Sequence, residues 1–150
     1  MDKITKYLPW LLAVFVAFGV FIPSLFFKFS GAAESRHIFQ TIAQWSGIGP
    51  FEPYGRYLIG MAELLASVLL MIPYTQVFGA LLGVGVMSGA IFFHLVSPLG
   101  ITVQWIENSA PQEDSSLFIL AVLSLISCLV IIWIRRERLS FSSLKHAVSH

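Results

Sequence analysis

The chain has 150 residues, of which 57% are hydrophobic and 11% are charged, and its formal net charge is +1. A soluble domain of this size cannot bury so much apolar surface, because the exposed fraction of a folded chain rises as its length falls. The composition therefore predicts a protein whose main solvent is lipid, and the balanced charge gives no reason to expect nucleic acid as a partner.

Four apolar segments are long enough to cross a bilayer as α-helices, since about 20 residues span a hydrocarbon core about 30 Å thick. They cover residues 7–29, 56–72, 76–96 and 116–134. The first follows two lysines, as a signal peptide would, but it is too long for a typical signal sequence and has no clear cleavage site. We predict that it is retained in a single all-α domain over residues 1–150, a four-transmembrane-helix up-down bundle.

Basic residues near the ends of these segments predict the orientation, because Lys and Arg collect on the cytoplasmic side of a membrane. Lys3 and Lys6 precede the first segment. The basic residues that follow the fourth segment are Arg135, Arg136, Arg138 and Lys145. We therefore expect a multi-pass protein of the cell (inner) membrane with both termini cytoplasmic and a polar cytoplasmic tail over residues 135–150.

The two connections on the opposite side are predicted to have structure of their own. Between the first and second segments, Ile38, Phe39, Ile42 and Trp45 recur at helical spacing with polar residues between them. This pattern predicts a short amphipathic helix at the interface. The second connection, "ITVQWIENSAPQEDSS", predicts an interfacial strand or turn with an acidic end. Both segments are expected to cap the bundle and limit access to polar residues beneath them.

Four ionisable residues are the candidates for a ligand-binding or polar site: Lys28, Arg56, Glu63 and His94. Counting about 1.5 Å per residue along each helix, we expect them to converge in the outer half of the bundle. A lone charge in hydrocarbon costs several kcal/mol, so a carboxylate within a span usually faces inward and finds a partner. No catalytic residue is assigned.

Each of these residues also has a purely structural interpretation. Glu63 either serves a site or forms a salt bridge with Arg56 or Lys28 that fastens the first two spans together. His94 either meets Glu63 or forms a hydrogen bond with a carbonyl at its helix end. Lys28 and Arg56, taken singly, would extend their charged ends toward water.

Small residues on the third segment predict close helix packing. Gly79 with Gly83, and Gly85 with Gly89, form two successive small-xxx-small patterns. Such patterns let helix backbones approach in lipid, where apolar side chains gain little from leaving the solvent. They are the predicted surface for a homo-oligomer or a partner membrane protein.

Several kinds of chemistry are disfavoured by the residues present. The single cysteine, Cys128, cannot form an internal disulfide. His146 and His150 lie in the polar tail without recognisable metal spacing, and we predict no metal site. The sequence has no phosphate-binding loop, dinucleotide fingerprint or catalytic Ser/His/Asp motif. Whether the protein is an enzyme stays open.

Three stretches resemble successive blocks of the DoxX-like membrane proteins: "FFKFSGAAESRHIFQ", "RYLIGMAELLASVLLMIP" and "MSGAIFFHLVSPLG". The order and spacing of the blocks carry the resemblance, which extends over nearly the whole chain. The matching positions are Lys28, Phe29, Ser30, Gly31, Arg56, Tyr57, Gly60, Glu63, Gly89, Ala90, His94 and Leu95. The resemblance implies a four-helix integral membrane protein without one settled activity. Relatives take part in sulfur-oxidising complexes that pass electrons from thiosulfate to quinone, in redox defence, or in the assembly of partner membrane proteins.

Two functions of different classes follow. In the first, the protein is a redox-associated membrane component whose Glu63 and His94 bind a quinone or another polar-headed small molecule, since this pair can exchange a proton near neutral pH. The alternative is a non-catalytic scaffold or assembly factor, in which polar residues hold the bundle together and small-residue faces receive a partner helix. Transport ranks behind both, because four short helices show no evident repeat.

Overall fold

The computed structural model describes residues 2–136. Most of the predicted tail, with Arg138, Lys145, His146 and His150, lies outside the described residues. Four helices are long and apolar enough to cross a membrane, and their bounds are Lys3–Ser30, Phe51–Met71, Gln76–Val96 and Ser116–Arg135. The predicted all-α, multi-pass architecture is therefore confirmed, with span boundaries that agree to within a few residues.

We number the helices along the chain. The first span is α1, Lys3–Ser30. The connection after it contains α2, Ala33–Ser46. The remaining spans are α3, Arg56–Met71, which follows a short π-helical turn over Phe51–Gly55, then α4, Gln76–Val96, and α5, Ser116–Arg135. The α4 helix packs against α3 and α5, while α1 closes the bundle by contacting both of those helices.

The first span is π-helical in its middle, where the helix is wider than an α-helix. Its α-helical ends, Lys3–Val14 and Ile22–Ser30, flank a π-helical segment, Phe15–Phe21. The N–H of Ile22 bonds to the carbonyl of Ala17, five residues back. Pro23 comes next and has no N–H to continue the α-helical pattern, which accounts for the irregular hydrogen bonding in this part of the span.

Small side chains dominate the buried core of the bundle, whereas many large apolar side chains point outward. The fully or nearly fully buried core residues are Ala13, Val16, Ala17, Phe21, Ala66, Leu70, Ala80, Val86, Met87, Ala121, Cys128 and Ile131. This distribution suits a bundle in lipid, because close backbone approach supplies the packing energy between helices and the outer side chains face hydrocarbon.

The α2 helix and a β-hairpin cover one end of the bundle, and we call them together the cap. The hairpin consists of β1, Val103–Glu107, and β2, Ala110–Asp114, which pair antiparallel. Its two turn residues, Asn108 and Ser109, both have positive φ, as a tight two-residue hairpin turn requires. The cap has a small core of its own around Ile42, Leu99 and Val103. The predicted amphipathic helix is confirmed, and the second connection is a pair of strands.

Candidate functional site

Lys28 on α1 and Glu63 on α3 form an ion pair within the spans. The Nζ atom of Lys28 lies 3.1 Å from each carboxylate oxygen of Glu63. Ser24, one turn earlier on α1, accepts a hydrogen bond from Lys28 Nζ and donates one of 3.5 Å to Glu63. The side chain of Glu63 is 3% exposed and that of Lys28 is 13% exposed. Of the two partners considered for Glu63, the structure selects Lys28.

Arg56 makes a second set of polar contacts at the start of α3. Its Nε and Nη2 atoms donate hydrogen bonds of 3.0 and 2.9 Å to the two carboxylate oxygens of Glu52. Its Nη1 atom donates to the backbone carbonyl of Lys28. The residue is buried. Arg56 is therefore held by a carboxylate on one side and by the end of α1 on the other.

The contact between Arg56 and α1 follows from the way this helix ends. Gly31 adopts a left-handed conformation with φ of 67°, and the N–H of Ala32 bonds back to the carbonyl of Phe27 at 3.1 Å. Carbonyls in the last turn have no partner inside the helix and carry the negative end of its dipole. The guanidinium satisfies one of them, which explains why an arginine at this position stabilises the end of α1.

Aromatic residues close the same junction between α1 and α3. The rings of Phe29 and Tyr57 stack with centroids 6.1 Å apart, and the guanidinium of Arg56 lies 4.7 Å from the centre of the Tyr57 ring. A Cβ atom at Gly60 would lie only 3.1 Å from the ring of Phe29. We call Ser24, Lys28, Glu52, Arg56 and Glu63 the ion-pair network; its two cations and two carboxylates balance in charge.

His94 lies elsewhere, at the cap end of α4. Its Nδ1 atom is 2.6 Å from the carbonyl oxygen of Gly100, so Nδ1 donates a hydrogen to this acceptor. Its ring packs edge-on against Phe118 with centroids 5.7 Å apart. These contacts match the structural interpretation of His94, a hydrogen bond with a carbonyl at the end of its helix. The imidazole links the end of α4 to the turn that follows.

Helix register explains why His94 is not part of the network. Gly79 packs against the backbone of Ala66, which fixes how α4 and α3 are aligned. Counting from this contact at about 1.5 Å per residue, His94 lies roughly 15–20 Å farther toward the cap than Glu63. Among residues 2–136, no hydrogen bond or ion pair links the two side chains. The structure thus brings together three of the four candidates, Lys28, Arg56 and Glu63.

The two glycine patterns on α4 have different surroundings. A Cβ atom at Gly79 would lie 2.7 Å from the backbone nitrogen of Leu70, and one at Gly83 would lie 2.7 Å from the Sγ atom of Cys128. Around Gly85 and Gly89, a Cβ atom would meet no atom within 4 Å. The first pattern is used for packing inside the bundle, and the second faces open space.

A groove that the sequence did not predict runs between α2 and the hairpin. Its volume is about 960 Å³, and both walls carry polar side chains, among them Arg36 and His37 on α2 and Glu113 on β2. Hydropathy reveals neither the placement of the hairpin against α2 nor its register. The sequence feature that could have indicated the groove is the mixture of polar and aromatic residues in the two connections that form α2 and the hairpin.

The cap alters the pKa of Glu34, a residue in the first turn of α2. Partial burial raises the pKa of its carboxyl group above the ordinary value, and the negative charges of Asp114 and Glu107 raise this pKa further. A raised pKa means that the folded state favours the protonated form. Ionised Glu34 therefore destabilises the fold above its folded-state pKa, and the cost disappears as the pH falls toward the ordinary value of 4.5.

We expect Glu34→Gln to raise the melting temperature in detergent at pH 8, by an amount equivalent to less than about 1 kcal/mol because solvent screens this partly exposed group. The gain should shrink when the same comparison is made near pH 4.5, where the raised pKa leaves the folded wild-type carboxyl more than half protonated. A gain of equal size at both pH values would contradict the electrostatic explanation.

A comparison with known families gave a match that covers these residues. A family model described as the DoxX-like family matches residues 9–105, a range that contains all four candidate residues. Neither the curated proteins nor the solved structures gave a match to the chain. The match covers more than half of the sequence and extends from α1 into β1, where the ion-pair network, α4 and much of the cap are found. The chain belongs to the DoxX-like family of multi-pass membrane proteins.

Proposed function

We propose that the protein is a non-catalytic scaffold or assembly subunit that receives a transmembrane helix from a partner protein or from a second copy of itself. The observation that carries the proposal is the open face of α4 at Gly85 and Gly89. This face repeats the four-residue spacing that Gly79 and Gly83 use to pack α4 inside the bundle.

The chemistry of the face suits a helix rather than a small polar ligand. Gly85 and Ser88 are exposed. The large side chains of Leu81, one turn before Gly85, and Phe92, one turn after Ser88, are also exposed. Glycines allow close backbone approach in lipid, and flanking apolar side chains add van der Waals contact. A second helix would therefore find a shallow notch bordered by two larger side chains.

The ion-pair network supports the same proposal. Its carboxylates and cations are directed at one another, and Arg56 also binds the end of α1. This arrangement holds α1 and α3 in a fixed relation, as a platform for a partner helix requires. Within this proposal the chain forms one domain over residues 1–150 in the cell (inner) membrane, with both termini cytoplasmic; the positions of Lys3, Lys6 and Arg135 support that orientation.

The test is a Gly85→Leu/Gly89→Leu double variant. We expect it to lose self-association, measured by energy transfer between labelled copies in proteoliposomes, or to lose a membrane partner that co-purifies with the wild type after cross-linking. Its melting temperature should stay near the wild-type value, because both positions face open space. The matched control is Gly85→Ala/Gly89→Ala, which keeps the face small. A leucine variant that associates as the wild type does, or a wild type that remains monomeric without a partner, would refute the proposal.

A redox-associated, quinone-binding role is the second candidate, and the exposure of Lys28 is the feature that favours it. The side chain of Lys28 is 13% exposed, and its ammonium group lies beside the hydroxyl of Ser24 and the carboxylate of Glu63, so donors and an acceptor lie together at the junction of α1 and α3. A quinone head would have to compete with contacts that these groups already make, and His94 is bonded to Gly100. These contacts fit a quinone less well than they fit a structural role.

A binding measurement tests this second candidate. The purified wild type should bind a quinone analogue, and Glu63→Gln should weaken that binding when equal amounts of folded protein are compared. Unchanged binding in the variant would remove Glu63 from such a site.

A further inference from the structure

The groove between α2 and the hairpin, which we call the cap groove, combines charged, amide and aromatic side chains. Arg36, His37 and Gln40 line it from α2, while Gln104, Trp105 and Glu113 line it from the hairpin. Its volume of about 960 Å³ lies near the upper end of the range typical of small-molecule sites.

The charged groups of the cap groove are not paired with each other. Within residues 2–136, the ion pairs are Lys28 with Glu63 and Arg56 with Glu52, and neither involves Arg36 or Glu113. Arg36 on one wall and Glu113 on the other therefore line the same groove with no ion pair between them. A ligand that carries a negative and a positive group a short distance apart would satisfy both walls.

We propose that the cap groove binds a zwitterionic phosphoethanolamine group, with its phosphate at Arg36 and His37 and its ammonium at Glu113. A guanidinium binds phosphate oxygens through paired hydrogen bonds, and an imidazole ring can donate another. A primary ammonium has three N–H donors, which suit the carboxylate of Glu113 and the side-chain oxygen of Gln104 opposite it on β1.

The position of the groove favours a lipid as the source of this group. The cap occupies the end of the bundle where α1 ends and α5 begins, so its groove lies where the spans leave the hydrocarbon. Trp105 lines the groove and also packs on the apolar core of the cap, as tryptophan does at the level of lipid head groups. The head group of a phosphatidylethanolamine molecule lies at this depth.

The experiment uses the full chain, freed of lipid in a neutral detergent, and measures the Kd of short-chain phosphatidylethanolamine by calorimetry. Arg36→Gln and Glu113→Gln should each weaken binding by about ten-fold, the effect of losing one charge-assisted hydrogen bond. Phosphatidylglycerol, which has the phosphate but no ammonium, should lose affinity with Arg36→Gln and not with Glu113→Gln. Lys6→Gln, at the opposite end of the bundle, is the matched control and should leave every Kd unchanged.

Melting temperatures without lipid check that the variants fold, and they should equal that of the wild type, because neither Arg36 nor Glu113 takes part in a described ion pair. Soluble phosphoethanolamine distinguishes the sources of the ligand: weak binding by it supports a lipid, and binding as tight as that of the lipid supports a free phosphorylated amine. Equal affinity of the wild type and an Arg36→Gln/Glu113→Gln variant for phosphatidylethanolamine would overturn the proposal.

Discussion

Glu63→Gln will lower the free energy of unfolding by about 3 kcal/mol, because it removes one member of a buried ion pair and leaves the other charge without a counterion. The ammonium of Lys28 would keep the hydroxyl of Ser24 as its polar contact in this part of the spans. Thermal unfolding in a mild detergent, followed by circular dichroism, measures the loss as a reduced melting temperature.

A double-mutant cycle separates a structural role for this pair from a ligand-binding role. Lys28→Met leaves an unpaired carboxylate at Glu63 and should be about as destabilising as Glu63→Gln. The Lys28→Met/Glu63→Gln double variant contains no unpaired charge and should regain more than half of the lost stability. Losses that simply add in the double variant would show that the two side chains do not stabilise each other.

The spans, and the need of Glu63 for a cationic partner, could be anticipated from the sequence for clear physical reasons. A membrane-crossing helix needs a long apolar run, and the lengths of these runs fix the helix ends to within a few residues. A buried carboxylate needs a cation, and few cations lie within reach of the second span. Lys28 and Arg56 were both available to Glu63, and only the three-dimensional contact shows that Lys28 is chosen while Arg56 binds Glu52 and the end of α1.

The position of His94 relative to Glu63 depends on how α3 and α4 are aligned along their axes, and hydropathy does not reveal this alignment. Counting residues from the ends of two spans gives their depths only if the helices begin at the same level. The backbone contact between Gly79 and Ala66 sets the actual alignment, and a few residues of shift along α4 move a side chain by several ångströms. The cap groove escaped prediction for a related reason, since contacts between distant connections decide which walls face each other.

Gly79→Ala should be the most disruptive of the small substitutions on α4, because its new Cβ atom would meet backbone rather than side chains. That atom would lie 2.7 Å from the nitrogen of Leu70 and 2.9 Å from the carbonyl oxygen of Ala66. Backbone in a helix cannot rotate away as a side chain can, so α3 and α4 must separate. We expect a loss of about 2–3 kcal/mol, the upper range for overpacking a well-packed interior.

Two further alanine variants test whether the stability loss of Gly79→Ala comes from the contact between α3 and α4. Gly85→Ala places its Cβ atom in open space, so it should leave the melting temperature unchanged or raise it slightly, since alanine favours helix over glycine. Gly83→Ala would clash with the Sγ atom of Cys128, a side-chain contact that Cys128→Ala should relieve in a double variant. A substitution at Leu70 or Ala66 changes the side chain and leaves the backbone atoms in place. A second substitution at either position should therefore not restore the stability that Gly79→Ala loses. If Gly79→Ala melts at the temperature of Gly85→Ala, then α3 and α4 do not approach as closely as described, and the alignment that separates His94 from Glu63 loses its basis.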